Sequence, residues 1–387
     1  MLLTTHCSVA LMRRCLAKLA TVLFLVLPTF SPAEESNAPN VRDLVLAEQF
    51  AAADALLDDM REKFMTDIAV ESDMYRLWDQ FNRPVPELEK ALTRWVEIGD
   101  SANARLARGI HFTSMGWRAR GDAYISATAK TELRGMEAYF RLALEDFQAV
   151  LERRPDELFA YCYAMDVLMA FGADEAVHGL YEKALEEHPL AYTPRSFYLT
   201  SLAPWWGGSM QEIEQVVDDS RALYDRNPEL RALEGRATSV LAEKADADGK
   251  FAMALTLYDR ALQQGGPDWR YLTGRGEMYM RLDRFDEAIA DLNRALVLRP
   301  DFVEALEHRS YSHYARGQNE SAIQDITRII ELGGSTAWLH GIRADAYRQL
   351  GRFDEALADV TIAIEMDPSD DEYKRDRDRI LGESRLH

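Results

Sequence analysis

The chain has 387 residues, of which 47% are hydrophobic, 28% charged and 10% aromatic, the balance of an ordinary globular protein. That composition excludes wholesale disorder and collagen-like structure, and it supplies enough apolar side chain for a large core or an elongated array. Lys and Arg number 45 against 65 Asp and Glu, a formal charge of −20, so bulk electrostatics gives no attraction to nucleic acid or anionic lipid.

The amino terminus has the order of a secretory signal. Arg13, Arg14 and Lys18 form a basic cluster, an apolar run from Leu19 to Leu27 follows, and Ser31-Pro32-Ala33 places small residues where a signal peptidase cuts. The run is nine residues, far short of the ~20 that a membrane-crossing helix needs. Cleavage is expected after Ala33, with Met12 an alternative start to Met1, and the exported chain is expected in the bacterial periplasm with no membrane span. Removing residues 1–33 takes away three positive charges and no acid, which moves the formal charge from −20 to −23. It also removes Cys7 and Cys15. Cys162 then stands alone in the apolar stretch Phe159 to Met165 and reads as a buried core residue without a disulfide partner.

Residues 40–120 read as helices with a break at Arg83-Pro84-Val85-Pro86. A phase then emerges: Ala143, Phe147, Val150 and Pro155 recur as Val177, Tyr181, Ala184 and Pro189, 34 residues on. Pro189 and Pro228 are 39 apart, which places an insertion of five residues near Tyr192-Thr193-Pro194-Arg195 and Pro204 to Ser209. Past residue 235 the phase is unbroken. Ala254, Ala288, Ala322 and Ala356 are 34 apart; Ala261, Ala295, Ile329 and Ala363 follow seven residues later; Gly249, Asp283, Gly317 and Gly351 stand five before. Small residues at both helical positions let two helices approach closely, a turn former ends the first helix, and Pro300 and Pro368 stop second helices. The charged segment Tyr373 to Ile380 reads as a helix capping the last apolar face. No convincing run alternates with period two, so the predicted fold class is all-α.

The 34-residue pattern resembles the tetratricopeptide repeat (TPR), a helix–turn–helix unit. The resemblance implies four units over 235–370, a divergent helical domain over 34–230 ahead of them, and a capping helix and tail over 371–387. Two further stretches, Ala104 to Gly121 and Trp206-Gly207-Gly208-Ser209, resemble a bacterial domain of unknown function and imply no activity. Read locally, Ser209-Met210-Gln211-Glu212 is a capping box: the serine hydroxyl takes an early backbone N–H and Glu212 reaches back.

The TPR resemblance implies a protein or peptide partner in a groove lined by first helices. Mapped onto this chain, the groove positions are Arg270, Glu277, Arg281, His308, Tyr311, Tyr314, Trp338 and Arg348, beside Arg236, Glu243, Met280, Glu304, Asp345 and Gln349. Mixed charge with aromatics suits an extended peptide or a partner helix. The Lys/Asn carboxylate clamp of some family members is absent, its positions holding Ser239, Thr273, Glu307 and Gly341, then Glu243, Glu277, Tyr311 and Asp345. An alternative is small-ligand or cell-wall-fragment binding around Arg118, Arg120 and the helix start at Ser209. No two histidines are three or four residues apart, and His-Glu-x-x-His, Gly-x-Ser-x-Gly and the phosphate-binding glycine loop are missing. The reading is therefore an interaction scaffold or adaptor, not an enzyme, with no cofactor and no metal.

Overall fold

The computed structural model describes residues 40–120 and 130–385. Among these residues the molecule consists of nineteen α-helices and three short 3₁₀ turns, with no strand. The leader from Arg13 to Ala33 lies outside them. None of the described helices is long and apolar enough to cross a membrane.

The 34-residue phase builds a solenoid of helix pairs. Ala232–Ala247 pairs with Phe251–Gly265, Trp269–Arg281 with Phe285–Leu298, Val303–Ala315 with Asn319–Glu331, and Ala337–Gln349 with Phe353–Met366. The phase-setting Ala254, Ala288, Ala322 and Ala356 are fully buried, as are Ala261, Ala295, Ile329 and Ala363. Each pair turns in the same way. Gly249, Gly317 and Gly351 sit at φ of 73°, 72° and 73°, and Asp283 takes the same left-handed conformation at 59°. The next residue's N–H then closes back on the first helix: Lys250 N to Ala245 O at 2.8 Å, with Arg284, Gln318 and Arg352 N each 2.9 Å from Tyr279, His313 and Tyr347 O. These are Schellman caps, which satisfy carbonyls that the helix end would otherwise strand. Asp283 matches glycine in conformation because a short polar side chain tolerates the left-handed region.

A polar device repeats with the same period. Arg275, Arg309 and Arg343 each reach across to the second helix of their own unit, to Asp291, Asp325 and Asp359, through two nitrogens at 2.6–2.8 Å. A third nitrogen binds the preceding unit, at Asp259, Asn293 and Thr327. The three carboxylates are 4%, 5% and 3% exposed, so each fork neutralises a charge within the stack. The closing helix Asp371–Ser384 places Ile380 against Ala344, Ala356 and Val360.

The amino-terminal half uses the same pairing, Ala102–Arg120 with Lys130–Arg153 and Leu158–Ala170 with Asp174–Glu187, with Gly172 at the second turn. Cys162 is buried there with its thiol free. The 39-residue interval that carries the insertion holds the Thr193–Ser201 helix, the short Pro204–Trp206 turn and the Met210–Arg221 helix. In the Trp-Gly-Gly-Ser segment, Gly207 is left-handed at φ 104°, and a Cβ on Gly208 would clash with the Leu202 carbonyl. Ser209 Oγ caps the next helix by accepting from Glu212 N at 3.3 Å. The expected return bond differs: Glu212 accepts from the serine hydroxyl at 2.6 Å.

Residues 41–99 do not extend the repeat series. Around Trp78, Phe81 and Trp95 they form a cluster joined to the first helix pairs, and they lie along the edge where successive units connect. Glu71 accepts from Tyr192 N and Thr193 N at 2.9 and 2.5 Å. Asp79 accepts from Arg299 at 2.8 Å, both side chains being buried. Arg42 meets Asp301 at 3.4 Å, and Asp301 in turn holds Arg328 at 2.7 Å. A Cβ added at Gly333 would meet Arg118 Nη1 at 2.7 Å and the Pro84 carbonyl at 3.2 Å. Residues 192, 299–301 and 333 all belong to loops between units, so one rim of the solenoid is covered by the chain's own amino-terminal helices.

Candidate functional site

The positions mapped from sequence separate into three groups. Arg270 belongs to the covered rim: it pairs with Asp268 at 3.1 Å, stacks 4.4 Å over Trp269, and shares a cavity of about 250 Å³ with Tyr75, Asp79 and Arg299. Facing the Glu71–Asp79 helix across that cavity, it is not on the open groove. Arg236 is likewise turned inward, donating to Ser239, Glu243 and Thr200.

The second group ties the solenoid to its closing helix. Tyr314 Oη donates to Asp345 at 2.7 Å; the same carboxylate accepts from Arg348 Nε at 2.9 Å and Gln349 at 2.6 Å. Arg348 then reaches Glu383 at 3.0 Å. Asp345 is buried; although burial opposes its charge, these donors hold its carboxyl below the ordinary aspartate range. Beside this network Trp338 stacks on Tyr311, with centroids 6.2 Å apart and planes 25° apart. Tyr311 also meets Phe285 edge-on at 6.3 Å. Trp338 keeps 44% of its surface exposed.

The third group converges. Arg281 binds one oxygen of Glu277, Oε1, at 2.6 Å and lies 3.6 Å from Asp246. The other oxygen, Oε2, faces His308 Nε2 at 3.8 Å, and Glu304 Oε1 faces the same nitrogen at 3.8 Å. Burial opposes a charge on His308, but Glu304, Glu277 and Glu307 together raise its pKa above the ordinary value. Burial, then the Glu277 carboxylate, push Asp246 up to about 6. Glu304 and His308, both mapped to the groove from sequence, are spaced i, i+4 on one helix, while Asp246 is not among the mapped positions.

The residues of the small-ligand alternative are occupied in the fold. Arg118 Nη1 donates to the Pro84 carbonyl at 2.6 Å. Arg120 lies over the rings of Trp117 and Trp206 at 5.6 and 5.9 Å, while Trp117 donates to Asp166 at 3.0 Å. Ser209 is the helix cap. None of the three lines the 250 Å³ cavity.

With the fold and its repeating turn in place, the family comparison is decisive for the repeats. The tetratricopeptide repeat model matches residues 239–301, 276–337 and 343–377. The repeats are tetratricopeptide repeats. Similar proteins include small glutamine-rich tetratricopeptide repeat-containing protein 2 of Saccharomyces cerevisiae, 22% identical over 94 residues. Human tetratricopeptide repeat protein 13 is 32% identical over 90 residues. These alignments cover 24% and 22% of this chain, and only 27% and 10% of the relatives' own length. Among solved structures, YrrB, a TPR protein with an unusual peptide-binding site, superposes with a TM-score of 0.37 at 19% identity, covering 50% of this chain and 96% of YrrB. A tetratricopeptide repeat protein from Parabacteroides merdae gives 0.32 at 17% identity, covering 63% and 93%. The Trp-Gly-Gly-Ser resemblance of the amino-terminal half has no counterpart in these matches.

Proposed function

We propose that this chain is an exported interaction scaffold or adaptor that holds an extended peptide or a partner helix on the inner face of its TPR units, with no bond-making step. TPR units serve generally as protein–protein interaction modules. The observation that carries the reading here is Trp338, exposed and stacked on Tyr311 beside the acidic group Glu277, Glu304 and Asp246. An aromatic step next to an acid-rich recess suits a partner segment that presents an apolar anchor followed by Lys or Arg. Export rests on the ordered basic, apolar and small-residue regions from Arg13 to Ala33.

The test is selection of a displayed random-peptide library on the full exported chain, followed by titration of selected peptides. Selected sequences are expected to combine an aromatic or aliphatic anchor with basic residues. Trp338→Ala is expected to weaken them at least tenfold, whereas Ile98→Ala, at an exposed site on the amino-terminal Pro86–Gly99 helix, leaves them unchanged. Equal binding by both variants would exclude this surface. For export, amino-terminal sequencing of the secreted chain should begin at Glu34.

A further inference from the structure

We propose that Glu277, Glu304 and His308 form a binding site for a divalent transition-metal ion of the zinc class on the inner face of the TPR units. One atom from each residue, a carboxylate oxygen or an imidazole nitrogen, lies within 4.8 Å of the other two. His308 Nε2 is at the centre, 3.8 Å from both carboxylates. That separation is too long for a hydrogen bond. Ligands on a tetrahedral ion at ~2.0–2.2 Å are ~3.4 Å apart, so closing the set on an ion asks each histidine–carboxylate pair to contract by about 0.4 Å and the two carboxylates, within 4.8 Å of each other, by up to about 1.4 Å.

A second observation points the same way. His308 Nε2, a buried atom on a side chain that is 18% exposed, makes no hydrogen bond and faces both glutamates at ion-pair distance. Asp246 Oδ1, at the back of the recess, is in the same condition. A buried imidazole nitrogen normally finds a donor or an acceptor, because leaving it unpaired costs its full desolvation. An ion between the three side chains supplies what is missing.

The surroundings are arranged for such an ion. Arg281 occupies Glu277 Oε1 and so fixes the carboxylate with Oε2 turned toward His308, the orienting role that outer hydrogen bonds play at metal centres. Asp246, Glu277 and Glu304 against Arg281 leave a formal excess of two negative charges, the charge of a divalent ion; His308, whose charged form the same carboxylates favour, releases its Nε2 proton to solvent when the ion binds. Glu304 is mostly exposed at the rim and gives the ion a way in. Three protein ligands leave a fourth position open for water or for a donor atom of a partner. The ligand type, one imidazole with two carboxylates, favours zinc and its first-row neighbours over calcium or magnesium. The ion and a partner's basic side chain draw on the same carboxylates, so the ion is titrated with no peptide present.

The test uses the full exported chain, stripped with a chelator and titrated with Zn²⁺ by calorimetry, beside His308→Ala and Glu304→Gln. One saturable equivalent is expected, with affinity at least tenfold weaker in each variant. Glu304→Gln changes an exposed side chain, so its fold is not at stake, and circular dichroism checks His308→Ala. The Co²⁺ form supplies a readout that needs no variant, a paramagnetically shifted imidazole N–H resonance from the ligated histidine. Binding that survives in either variant places the ion on other carboxylates of this acidic chain and overturns the proposal. So does the absence of saturable binding, or a Co²⁺ form without the shifted resonance.

Discussion

Arg309→Ala tests whether the periodic arginine forks carry the stack. Arg309 grips Asp325 through Nε at 2.8 Å and Nη2 at 2.6 Å, and it reaches Asn293 in the preceding unit at 2.7 Å. Asp291 has a second cation in Arg294, and Asp359 has His340, but among the described residues Arg309 is the only ion-pair partner of Asp325. Truncating it strands a carboxylate that is 5% exposed. Breaking a buried pair from one side costs about 3–5 kcal/mol. Arg309 is itself about one-fifth exposed, so water follows its removal and the lower end, about 3 kcal/mol, is expected. Because repeat arrays need not unfold in one step, the readout is amide hydrogen exchange across 303–331 together with urea denaturation. The double variant Arg309→Ala/Asp325→Ala should recover part of the loss, a coupling of about 2 kcal/mol. A cost below about 1 kcal/mol, or strict additivity in the cycle, would refute the assignment of the fork as a structural element.

Two further outcomes concern Asp166 and the helical glycines. Burial raises Asp166 to about 6 against the opposing hydrogen bond from Trp117. Its folded pKa lies above the unfolded value of ~3.9, so the native state holds the proton longer and loses stability as pH rises between about 4 and 6. Asp166→Asn keeps an acceptor for Trp117 and removes that loss, so it should stabilise the protein by on the order of 3 kcal/mol at pH 7 and by almost nothing near pH 4, read from denaturation at both pH values. The helical glycines should divide by contact. A Cβ on Gly179 meets nothing within 4 Å, and Gly179→Ala should add about 0.5–1 kcal/mol. On Gly235 it would meet the Gly265 backbone at 2.6 Å, and Gly235→Ala should cost at least about 1–3 kcal/mol in the same assay.

What could be read in the sequence was whatever each unit must solve again for itself. Close helix approach demands Ala254, Ala288, Ala322 and Ala356; a left-handed turn demands Gly249, Gly317 and Gly351; both constraints return every 34 residues and so stand out. The arginine forks carry the same signal, since Arg275, Arg309 and Arg343 share the period with Asp291, Asp325 and Asp359. Aligning only apolar and turn positions passes over them. The convergence at His308 is half visible, because Glu304 lies one helical turn away, whereas Glu277 comes from the preceding unit and needs the stacking register. The covered rim leaves no periodic trace. Asp79 meets Arg299 across 220 residues, and Arg42 meets Asp301 across 259, contacts each made once by non-repeating helices. Arg270 looks like a groove residue by its phase alone; the helix that claims it is far away in the chain.

That rim bears on how the inner face can work. In a bare solenoid each unit touches only its neighbours, and small rotations between units widen or narrow the groove. Here the Glu71–Asp79 helix is bonded to the loop at 192–193 and to Arg299, Arg42 reaches Asp301, and Arg118 and Pro84 abut Gly333. These ties connect units separated in the stack, so opening the groove on this side would strand buried partners such as Arg299. The face with Trp338, Tyr311 and the His308 recess carries no such strap among the described residues apart from the closing helix at Arg348. A segment bound there would meet side chains already oriented by Arg281 and Asp345, and so would lose little affinity to ordering them.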